Sequence, residues 1–96
     1  VNTITKTTAA AVSRKLAALG FEKKSEDAVG FLVATDDALK GWGTDIVVSS
    51  YSYLEGFHAA DALEAAGYIV DRKFTCADHF TNLYLEVFTV EGKVTR

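Results

Sequence analysis

Leu63-Glu-Ala-Ala-Gly-Tyr68 decides how this chain folds, because Leu16-Ala-Ala-Leu-Gly-Phe21 repeats its plan 47 residues earlier. Each stretch is the end of an alanine-rich helix, closed by a glycine and followed by an aromatic residue. Alanine favours the helix because it has no side-chain rotamers to lose. A glycine just past the last helical residue adopts the left-handed conformation that closes the final turn, and the next apolar residue folds back onto the helix. Phe21 is thereby paired with Leu16, and Tyr68 with Leu63.

Working outward, residues 3–19 read as the first helix, with Ala9, Val12, Leu16 and Leu19 on one stripe and Arg14 opposite. Phe21 to Lys24 is a short strand. Val29 to Thr35 is apolar on both faces, which predicts a central strand. Asp45 to Tyr51 is a third, β-branched strand. Ser52-Tyr-Leu-Glu55 has the spacing of a capping box, so the second helix is expected from near Tyr53 to Ala66, with Tyr53, Phe57, Ala60 and Leu63 toward the core. Residues 68–75 and 82–91 read as a hairpin turning around Cys76 to Thr81. The second of these strands alternates, with Leu83, Leu85 and Val87 on one face and Tyr84, Glu86, Phe88 and Val90 on the other. The expected architecture is α+β in the order α-β-β-β-α-β-β, with both helices on one face of an antiparallel sheet of about five strands. The two cap units leave an internal duplication of the αββ type open.

The 96 residues suffice for one domain, 1–96, and the 49% hydrophobic and 24% charged shares are ordinary globular values. Cys76 is the only cysteine, so no intrachain disulfide forms, which favours a reducing, cytoplasmic setting. No apolar run is long enough to span a bilayer, and residues 1–8 carry no signal-peptide core. With no methionine in the chain, the natural start is expected to have been processed or to lie upstream.

The net charge of −3 is unevenly distributed. Residues 1–24 hold five bases against Glu22, whereas residues 25–71 hold nine acids against Lys40. A basic first helix on an acidic chain argues against general polyanion binding, which needs clustered cations. The first 67 residues resemble double-stranded-RNA-binding domains in element order. That family grips phosphates with lysines at the start of its last helix, and the matching stretch here, Leu54-Glu-Gly-Phe-His58, has none.

No nucleophile elbow, Walker-A loop or dinucleotide fingerprint is present, and the expectation is a non-enzymatic protein without a cofactor. Cys76 and His79 are three apart with Asp78 between them, and His58 and Asp61 are three apart on the second helix. A metal or thiol site from Cys76, His79 and His58 is therefore the alternative, together with nucleic-acid binding through the first helix. The single tryptophan lies between two glycines in Lys40-Gly-Trp-Gly-Thr-Asp45, the setting of either a core lid or a binding anchor. Two helices on one sheet face leave the other face open. It carries Tyr84, Phe88 and Val90 with Val47 and Tyr51, or the opposite sets, and either choice exposes large apolar groups. The leading expectation is a protein-binding module, homodimeric or bound to another protein, using Trp42, Tyr51, Tyr84 and Phe88. Asp36, Asp37 and Asp45 add an acidic element of the kind an inhibitor or regulator of a larger machine uses, as mobile elements employ.

Overall fold

In a computed structural model the chain is described at residues 3–23, 29–35, 46–80 and 82–95. Its elements are β1 (Thr3–Thr5), α1 (Ala9–Ala18), β2 (Gly30–Thr35), β3 (Ile46–Ser52), α2 (His58–Ala65), β4 (Tyr68–Asp78) and β5 (Leu83–Thr95). All strand pairs are antiparallel. β5 is the axis of the sheet: β3 and then β1 lie along one of its edges, β4 along the other, and β2 lies outside β3. At about 3.3 Å per residue the thirteen residues of β5 span about 43 Å, close to the 45 Å long dimension of the molecule. The α+β class and the two helices against a five-stranded sheet are as the sequence predicts.

Both cap units close as read. Leu19 is the C-cap of α1, Gly20 takes φ +97°, its N–H donates to Ala17 O, and the Phe21 N–H donates to Leu16 O at 3.0 Å. These are the paired bonds of a Schellman motif. After α2, Gly67 takes φ +96° and its N–H donates to Glu64 O. The Gly67 carbonyl then accepts from Val94 N–H at 2.8 Å, tying the end of α2 to β5.

Several elements differ from the sequence reading. The first helix begins at Ala9 rather than Thr3, with the Thr8 hydroxyl capping it by accepting from Ala11 N–H at 3.1 Å. The β-branched Thr3-Ile-Thr5 instead pairs with Lys93–Thr95, an approach so close that a Cβ on Gly92 would lie 2.8 Å from Thr5 O. The expected strand at 21–24 is only one bridge, Lys23 to Phe31. Ser52 does not cap a helix. Its hydroxyl closes a local turn with Leu54 N–H and O, and Gly56 at φ +112° delays α2 to His58. Tyr53 is consequently exposed. Finally β2 is an edge strand, not a central one. Its double-sided apolarity has another cause: Phe31 and Val33 face the core, while Leu32, 52% exposed, lies on the side without helices.

The core lies between the helices and one sheet face. Val12 and Leu16 of α1 and Ala59, Ala60 and Leu63 of α2 cover Phe31, Ile46, Val48, Phe88, Val90 and Tyr68. Among the described residues no helix is long and apolar enough to cross a membrane.

Candidate functional site: the open face of the sheet

The pairing register sorts the sheet into two sets of cross-strand rows, since directly paired residues share a face. On the helix side the rows are Phe31–Ser50–Glu86–Thr75 and Val33–Val48–Phe88–Arg72, running from β2 to β4. On the other side they are Gly30–Tyr51–Leu85–Cys76, Leu32–Ser49–Val87–Phe74 and Ala34–Val47–Thr89–Asp71. A bulge at Lys73 lets β4 contribute Arg72 to one face and Phe74 to the other.

Of these twelve open-face positions only Asp71 is charged, and its carboxylate holds Lys73 Nζ at 2.7 Å. Leu32 and Phe74, each 52% exposed, stand at opposite ends of the middle row. Val47, Tyr51, Leu85 and Val87 are half-buried between neighbouring strands, and the Cys76 thiol is exposed. The result is a broad, nearly uncharged surface with apolar side chains at both edges.

This arrangement corrects part of the expected partner surface. Tyr51 and Val47 are on the open face, but beside Leu85 and Val87 rather than Phe88. Phe88 is fully buried under the helices, and Val90 with it. Tyr84 shares their side of the sheet, beyond the helices, half-buried beside a cleft of about 340 Å³ at the hairpin end with His79 and Asn82. Two-residue alternation forces this outcome: once Phe88 is core, Leu85 and Val87 cannot be. Trp42, Asp36, Asp37 and Asp45 lie outside the described residues. Cys76 is not in the hairpin turn, because β4 continues to Asp78, and it pairs with Leu85 in the sheet. Among the described residues no three His, Cys, Asp or Glu side chains gather as metal ligands. His58 is instead exposed, its Nε2 within 2.9 Å of Glu55 O.

Glu86 is the residue that the sequence reading passed over. It is 5% exposed in the middle of the core face. Its Oε1 accepts from Ala59 N–H at 2.7 Å, taking over the first turn of α2, where Phe57 supplies no side-chain cap. Oε2 is buried and meets no hydrogen-bond partner among the described residues. Burial pushes the carboxyl above the ordinary glutamate range, Ala59 and Ala60 N–H groups and nearby His58 oppose that rise, and Asp61 adds to it. The alternation that grouped Glu86 with Phe88 and Val90 was the available signal. Across the same helix, Arg72 binds Asp61 and Glu64 and lies over the Phe57 ring at 5.3 Å, fastening β4 to α2.

Among the described residues the fold is a two-layer α+β arrangement, with one sheet surface that no described helix covers. Comparison with protein-family models, curated proteins and solved structures gives no match.

Proposed function

We propose that this chain is a non-enzymatic protein-binding module whose contact surface is the open sheet face around Leu32, Tyr51, Phe74, Leu85 and Val87. The single supporting observation is the near-absence of charge on twelve contiguous positions of that face, on a chain in which one residue in four is charged. Extended apolar surfaces of monomers are uncommon and mark interaction sites. The twelve positions include no lysine or arginine, and the cation at their corner, Lys73, is held by Asp71, so the face lacks the clustered phosphate-gripping groups that a nucleic-acid platform combines with its aromatics. Regulation or inhibition by occupying a partner belongs within this reading.

The test places a photoreactive benzoylphenylalanine at Phe74 and, as control, at Ala17 on the exposed side of α1. The expected result is a discrete protein adduct from position 74 and none from position 17. Equal labelling from both, or none from position 74, overturns the assignment.

A further inference from the structure

We infer that Glu86 is a pH-operated latch: protonated, it holds the first turn of α2 on the sheet, and ionised, it lets that turn and the strap of residues 53–57 swing away. The observations that carry this concern the two ends of one short helix. The C-terminal end of α2 is tied down by main chain, since Gly67 O accepts from Val94 N–H at 2.8 Å and Leu63 is fully buried in the core. The N-terminal end is tied down by a side chain. Glu86 Oε1 reaches from β5 to Ala59 N–H at 2.7 Å, while Phe57 provides no side-chain cap. The first backbone bond of the helix, Asp61 N–H to Phe57 O, is long at 3.3 Å. The strap leading into it is loosely seated: Tyr53 and Leu54 are exposed, and Gly56 bends the chain at φ +112°.

The latch is ionisable, and its surroundings do not neutralise it. Glu86 is buried, and its Oε2 is sealed from water. A buried carboxylate with an unmatched oxygen costs free energy that a carboxylic acid does not. From β3 it faces Ser50 and from β4 Thr75, both uncharged, and on its own strand and face it stands between Tyr84 and Phe88. The charges come from α2 and β4. His58 attracts the carboxylate and Asp61 repels it, while Arg72 of β4 is engaged by Asp61 and Glu64 and lies over Phe57. Opening the first turn brings water to Glu86, whose proton then leaves in the ordinary glutamate range. In the closed form the proton is held to a higher pH. Between those two values each pH unit favours the open form by up to about tenfold. Closed, the device keeps Ala59 and Ala60 buried and Phe57 packed against the core. Open, it uncovers them and leaves the β3–β5 pair intact.

Amide hydrogen exchange on the full chain, from about pH 5 to about pH 7, reads the opening once each rate is divided by its intrinsic value. The wild type is expected to lose protection at Ala59, Ala60 and Asp61 as pH rises, by up to about tenfold per pH unit. Amides of β3 and of the last turn of α2 should hold theirs. Glu86→Gln keeps an oxygen for Ala59 N–H and is expected to show constant protection at the same three amides. His58→Gln removes the neighbouring imidazole as a source of pH dependence and is expected to keep the wild-type trend. If Glu86→Gln does not fold, the wild type and His58→Gln supply the result. Protection that falls equally in α2 and β3 overturns the latch, because the whole domain is then opening. First-turn protection independent of pH also overturns it, as does a trend that persists in Glu86→Gln or disappears in His58→Gln.

Discussion

The two faces of this sheet are built from the same strands in alternation, yet they answer to different requirements. On the helix side Phe88, Val48, Phe31 and Val90 are sealed by Val12, Leu16, Ala60 and Leu63, and the charged Glu86 admitted there caps a helix. On the open side Leu85, Val87, Tyr51, Phe74 and Leu32 are nearly as apolar, but no element of the described chain covers them. Hydrophobicity alone therefore does not separate core from surface in this chain. What separates them is whether the residue's row faces a helix.

Substitutions on matched positions should expose that division. Phe88→Ala, which empties a fully buried site, is expected to cost about 3–5 kcal/mol, read by urea unfolding with unchanged slope. A Phe88→Ala cost as small as that of a surface substitution would break the comparison. Glu86→Ala should cost about 1–2 kcal/mol, because it strips a buried side-chain acceptor from the first turn of α2. Amide exchange in α2 should accelerate more than exchange in β3.

The buried acid also gives the helix face a pH signature. The folded carboxyl titrates above its unfolded value, so between the two values the folded state holds a proton that the unfolded chain has released. Stability contributed by Glu86 is therefore present at pH below the ordinary glutamate value and is lost as pH rises through the raised one. Glu86→Gln keeps an oxygen for Ala59 N–H and removes the titration. A melting series from pH 4 to 7 should show the wild type losing stability relative to this variant as pH rises; parallel curves would contradict the assignment. The smallest stability effect is expected on the open face. Phe74→Ser should change unfolding free energy of the dilute protein by about 0.5 kcal/mol or less, as at an ordinary surface site, while still weakening association.

Much of this was legible in local physics. Gly20 and Gly67 fix where each helix ends because only a positive φ closes those turns, and the alternation of residues 83–90 fixed which residues share a face. What local patterns could not supply was long-range pairing. Thr3-Ile-Thr5 is a strand only because Lys93–Thr95 lies beside it, and Gly92 only reveals its purpose there. The same ambiguity put Phe88 on the partner surface: with both alternating sets apolar, either could have faced the helices. Apolarity on both sides of Val29 to Thr35 suggested a central strand, whereas it reflects an edge strand of a sheet whose outer face is itself apolar. Glu86 was decisive in retrospect, since a lone carboxylate in an apolar row marks the side that holds a helix N-terminus.

Cys76 offers the most direct measurement of the central claim, that the open face is where this chain meets a protein partner. It is the only thiol in the sequence, exposed, and in the same row as Tyr51 and Leu85. Its alkylation rate by iodoacetamide, followed by mass spectrometry in buffer and in cell lysate, reports burial of the face without altering a residue. The account predicts a wild-type rate that is lower in lysate than in buffer, and a Phe74→Asp variant that alkylates faster in lysate than the wild type. Equal rates for wild type and variant in lysate would contradict it.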